Sequence, residues 1–72
     1  MPQRYRPRDV VRVLESFGWR QDRQRGSHLI MVKAGVSYNI SIPMSQRELK
    51  RGMFGQILRK SGISKQEFDS RI

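Results

Sequence analysis

Apolar residues along the chain follow two different rhythms. Val10, Val13, Leu14 and Phe17 stand at i, i+3, i+4 and i+7, the spacing that lines up side chains on one face of an α-helix. Pro7 opens this stretch, where a missing N–H costs nothing, and Gly18 follows it, where a left-handed residue can end a helix. The pattern predicts a first helix of about three turns. Beyond it the rhythm becomes that of strands. Trp19–Gln24 is a weak candidate, polar after its tryptophan, and Ser27–Lys33 is a stronger one. Val36–Pro43 is stronger still: Tyr38, Ile40 and Ile42 alternate with Ser37, Asn39 and Ser41, the period-2 mark of a half-buried strand. Ala34-Gly35 predicts a tight hairpin turn between the last two strands, and Pro43, with no donor for a ladder, predicts the end of the third.

The helical rhythm returns with Met53, Phe54, Ile57 and Leu58 and stops at Gly62. Ser64-Lys65-Gln66-Glu67 has capping-box spacing, with Ile63 and Phe68 placed for a hydrophobic staple, and predicts a short terminal helix. Ser45-Gln46-Arg47-Glu48 has the same spacing, but Gly52 interrupts the next turn, so it reads as a turn and not a helix start. Helix, three strands, helix and short helix predict an α+β domain with a three-stranded antiparallel sheet. With no repeat, linker or low-complexity tract, residues 1–72 read as a single domain. Phe17, Trp19, Tyr38 and Phe54 lie on apolar stripes and are expected in the core. Tyr5 lies outside every stripe and fits either a base-stacking role or a disordered end.

Composition narrows the class. The chain contains no cysteine, which removes disulfides and thiolate metal sites, and one histidine with six scattered carboxylates is a poor ligand set for zinc. No metal or cofactor is expected. No apolar run approaches the ~18 residues of a membrane span, and the N-terminus has no hydrophobic signal core, so a soluble, cytoplasmic protein is expected. Fifteen Lys and Arg against six Asp and Glu leave a net charge of +9, and eleven of the fifteen cations are arginine. A guanidinium presents a planar fork that matches phosphate oxygens, so an arginine-rich excess on so small a body points to a polyanion, nucleic acid above all. Mere solubility, or an acidic protein partner, is the alternative.

The one local cluster with chemistry is Arg23, Arg25, Gly26, Ser27 and His28. Gly26 lets the backbone turn and Ser27 offers a hydroxyl. An imidazole exchanges a proton near neutral pH, and flanking arginines could hold phosphate as charge builds. These parts suffice to turn an RNA 2′-hydroxyl on its adjacent phosphate with neither metal nor protein nucleophile. Against this, alternation puts His28 on the side of Ile30 and Val32, where a histidine is more often a hydrogen-bonded core residue than a catalyst. Lys50 and Arg51, just before the second helix, are placed to meet backbone phosphates near its N-terminus.

From Arg8 to Phe68 the chain resembles the HicA family of mRNA interferase toxins. The resemblance is carried by RDVVRVLESFGW, RQRGSHLIM, ISIP, ELKRGMFGQILRKSGIS and QEF. It implies a double-stranded-RNA-binding-domain-like α-β-β-β-α fold with helices on one face of the sheet, serving a small ribonuclease. It implies that His28 is the catalytic residue, with Gly26 and Ser27 before it, and that a HicB-type antitoxin covers the site. One departure stands out. Many members carry a second histidine in a P-x-H arrangement after the third strand, where this chain has Ser45 in IPMSQRE. With a single histidine, the leaving oxygen must be protonated by water, by a lysine such as Lys50, or by His28 itself, and a slow nuclease is expected. The competing reading is a double-stranded-RNA-type module that grips A-form backbone without cutting.

Overall fold

In the computed structural model, which describes residues 4–72, the elements run α1 (Pro7–Ser16), β1 (Arg20–Arg25), β2 (His28–Val32), β3 (Ile40–Pro43), α2 (Arg51–Ser61) and α3 (Lys65–Ser70). The strands form one antiparallel sheet in the order β1-β2-β3. This is the expected α-β-β-β-α arrangement, closed by a short extra helix.

Local chemistry accounts for the boundaries. Pro7 occupies the first turn of α1, and Gly18, at φ 98°, turns the chain out of it. A side chain at Gly18 would also meet Lys33, whose Cε lies 3.2 Å from where a Cβ would stand. Gly62, in the left-handed region, ends α2, and its N–H bonds the Leu58 carbonyl. At α3 the capping box is complete: Ser64 Oγ accepts from the Glu67 N–H at 3.1 Å, while the Glu67 carboxylate accepts from the Ser64 N–H at 3.2 Å.

The core lies between the helices and one face of the sheet. Leu29 and Met31 of β2 and their partners Ile42 and Ile40 of β3 pack in one cluster with Val10, Val13 and Leu14 of α1 and Phe54 and Ile57 of α2. Ile30 is also buried but stands outside this cluster, opposite Ser41, on the other face. The sheet therefore has a helix-covered face and an open face, and β2 is apolar on both.

Three expectations change. The third strand begins at Ile40 rather than Val36. The Ala34-Gly35 turn forms, with Gly35 at φ 84° and the Val36 N–H on the Lys33 carbonyl at 3.1 Å, but strand pairing resumes only at Met31–Ile40. The connection is thus a loop and not a two-residue hairpin. Tyr38 falls in that loop, 50% exposed and out of the core, and its hydroxyl donates to the Lys60 carbonyl at 2.8 Å in the last turn of α2. Phe17 is only half-buried, with the Arg71 guanidinium 4.0 Å above its ring, whereas Trp19 and Phe54 are buried as expected.

Tyr5 is neither a stacking platform nor a disordered end. It is 5% exposed, stacks on Phe54 with ring centroids 3.8 Å apart, and meets Phe68 edge-on. Each such aromatic pair is worth ~0.5–1.5 kcal/mol beyond its buried area. Its hydroxyl donates to Asp69 at 2.6 Å, which ties the start of the chain to α3.

Candidate functional site

The hairpin joining β1 to β2 positions the histidine. Arg25 and His28 are direct cross-strand partners, so only Gly26 and Ser27 lie between the strands. Gly26 has φ 60° and no non-glycine residue has positive φ among the described residues, which makes this a type II′ turn, a form whose twist suits a hairpin. Nothing stands within 4 Å of where a Gly26 Cβ would be, so glycine is required here for its backbone angle and not for space. The Ser27 carbonyl accepts from the Met44 N–H at 2.8 Å, which anchors the turn to the chain leaving β3.

His28 is the first residue of β2 and is exposed. It does share a side with Ile30, as alternation requires, but that side is the open face. The buried side of β2 belongs to Leu29 and Met31. The core-histidine alternative therefore does not describe this ring.

On its β1 flank His28 faces arginine. Arg25 stands opposite it and Arg23 opposite Ile30, so both extend over the open face. A bulge between Gln21 and Arg23 shifts the register, and Arg20, opposite Val32, joins the same face. Arg23 is ion-paired to the neighbouring Asp22, whereas neither Arg20 nor Arg25 has a carboxylate within salt-bridge distance among the described residues.

On the other flank lies a depression of about 170 Å³ between β3 and α2. It is lined by His28, Ser41, Met53, Gln56 and Lys60, with Ile40 and Ile57 at its apolar floor. Met53, Gln56, Ile57 and Lys60 are spaced as one face of α2. No lining residue is acidic among the described residues, so the depression has one cation, one imidazole, an amide and a hydroxyl to offer. Such a set can take a proton from a hydroxyl and hold a phosphate oxygen.

Of the residues singled out from sequence, Arg23, Arg25, Gly26, Ser27 and His28 come together at one end of the open face. Lys50 and Arg51 are exposed at the N-terminus of α2 and do not line the depression. The lysine that does is Lys60, which sequence reasoning missed along with Gln56 and Ser41. Their signal was spacing: Lys60 is i+7 from Met53, but only the packing of α2 beside β3 gives that spacing a meaning. No group of three or more His, Cys, Asp or Glu side chains is placed to hold a metal ion among the described residues. No helix among them is long and apolar enough to cross a membrane.

A family model described as the HicA toxin of bacterial toxin–antitoxin matches residues 7–63, which spans every strand and the first two helices. No curated protein matches the chain.

Proposed function

The chain belongs to the HicA toxin family of bacterial toxin–antitoxin systems, and on that premise we propose that it is a metal-independent endoribonuclease acting on mRNA in the cytoplasm, checked by a cognate HicB-type antitoxin. The observation that carries this reading is the exposed imidazole of His28 between the β1 arginines and Lys60.

In the proposed reaction, His28 accepts the proton of a ribose 2′-hydroxyl as that oxygen attacks the adjacent phosphorus. The bond from phosphorus to the 5′-oxygen breaks, leaving a 2′,3′-cyclic phosphate and a new 5′-hydroxyl. Attacking and leaving oxygens lie on opposite sides of phosphorus, so one imidazole does not serve both directly. Water protonates the leaving oxygen, which the exposed position of His28 permits. Arg25 and Lys60, on the two flanks of the ring, hold the non-bridging oxygens as negative charge builds. Arg23 supports the same phosphate, and Lys50 and Arg51 meet backbone phosphates farther along the strand. A single histidine without a partnered acid accounts for the slow turnover expected.

The test compares wild type with His28→Ala on purified single-stranded RNA in the presence of chelator, alongside growth after induction. The substitution is at an exposed position, so the variant keeps its fold, which circular dichroism checks. Loss of both cleavage and growth arrest supports the reading. Unchanged cleavage overturns it, and RNA retention without cleavage by the wild type would make the chain a binding module.

A further inference from the structure

Four arginines that the hairpin and depression do not use gather at a second place. Around the entry to α1 and the segment after β3 lies a concavity of about 850 Å³ whose walls carry Arg4, Arg6, Arg8 and Arg47, with Asp9 and Glu48 the only carboxylates among its described residues. Both carboxylates are already engaged. Asp9 pairs with Arg12 at 2.7 Å, and Glu48 pairs with Arg4 at 3.4 Å across the cleft. Arg6, Arg8 and Arg47 are exposed and have no carboxylate within salt-bridge distance among the described residues.

This cleft is held open by the core. Tyr5, between Arg4 and Arg6, is buried against Phe54, and its carbonyl accepts from the Leu49 N–H at 2.8 Å. One wall is the arm before α1 with the first turn of that helix, and the other is the segment 44–48. The Tyr5–Leu49 hydrogen bond and the Arg4–Glu48 ion pair join them. The arginines are thus presented by a pinned backbone, which lowers the entropy lost when they are occupied.

The cleft is tied to the candidate active site by one backbone hydrogen bond. Met44 lines it, and the Met44 N–H is the donor to the Ser27 carbonyl, one residue from His28. From this we propose that the arginine cleft is a phosphate subsite for RNA, taking backbone phosphates that flank the one cut at His28. The inference rests on the ribonuclease reading and adds to it a second foothold that favours long single strands over short ones. The guanidinium forks suit phosphate oxygens, and the two carboxylates, paired with arginines, leave the cleft's sign positive.

The experiment uses His28→Ala protein, in which the RNA stays intact, and measures binding of a labelled 20-nucleotide RNA across a salt series. Arg6→Ala, Arg8→Ala and Arg47→Ala combined should weaken binding by about tenfold and flatten the salt slope by roughly 0.7 for each phosphate no longer engaged. Arg59→Ala, the loss of an exposed cation outside the cleft, should change binding less than twofold. In the protein with His28 intact, the triple variant should raise KM for the 20-mer and leave cleavage of a dinucleotide unchanged, since a dinucleotide has no phosphate beyond the one cut. Binding and salt slope equal to the parent overturn the proposal, and so does a triple variant that keeps RNA binding while losing affinity for an acidic antitoxin. Cleavage persisting in His28→Ala would instead overturn the catalytic reading, and the binding measurement would still judge the cleft.

Discussion

Arg25 and His28 face each other directly across the two-residue turn Gly26-Ser27, so the candidate base and its nearest cation are set by one backbone element. Opposite positions in an antiparallel pair hold their Cβ atoms ~4.5–5.5 Å apart, close enough for both groups to meet one phosphate. The turn depends on Gly26 at φ 60°. Gly26→Ala should therefore cost ~1–2 kcal/mol of stability, the strain of a left-handed L-residue, and should lower RNA cleavage by more than the loss of folded protein explains. Denaturant unfolding and initial cleavage rates on the same preparation check this.

Lys60 and Lys50 separate two roles. Lys60 lines the depression with His28, whereas Lys50 precedes α2 and does not. Lys60→Ala should reduce the cleavage rate at saturating RNA by about tenfold, less than the loss of a fully buried oxyanion donor because this side chain is exposed. Lys50→Ala should weaken RNA binding and leave the saturated rate unchanged. Single-turnover kinetics at protein concentrations below and above saturation of the RNA distinguish the two.

Tyr5 is the anchor of the N-terminal arm. Tyr5→Phe keeps the stack on Phe54 and loses the hydroxyl bond to Asp69, at a cost of about 1 kcal/mol. Tyr5→Ala empties the space between Phe54 and Phe68 and should cost ~3–5 kcal/mol. Urea unfolding monitored at Trp19 measures both.

The same pairing sets an acid limb. Burial works against the Asp69 carboxylate, but hydrogen bonds from Lys65 and Tyr5 outweigh it and hold its pKa below the ordinary 3.8. A group with a depressed folded pKa contributes stability that is complete above its unfolded value and is lost as pH falls through the folded one. Stability should decline below about pH 4, and Asp69→Asn should flatten that decline. At the alkaline end burial, and then the bond to Asp69, raise the Tyr5 pKa above 10.0. The unfolded chain ionises first there, so stability should fall as pH passes 10, and Tyr5→Phe should remove that part of the loss. Thermal melts across pH test both limbs.

Much of the fold was legible because local physics decided it. The Val10, Val13, Leu14 stripe of α1, the capping box of Ser64 and Glu67 and the left-handed Gly62 are arrangements within a few residues, and each formed as its spacing implied. The Gly26-Ser27 turn is likewise local, since a two-residue II′ turn needs the positive φ that Gly26 supplies.

What the sequence could not decide was anything settled by an element far away along the chain. HLIMV is apolar on both sides, so alternation could not say which face α1 and α2 would cover; packing gave Leu29 and Met31 to the core and left His28 on the open face. Tyr38 kept strand parity but lost its strand, because pairing with β2 begins only at Ile40. Tyr5 had no periodic neighbours, and its burial comes from Phe54 and Phe68, residues brought to it by α2 and α3. Lys60 came to line one depression with His28 through the same packing of α2. Periodicity records which residues share a face of one element, whereas the choice of what covers that face is made by the free energy of burying apolar area between elements, which only the assembled chain can weigh.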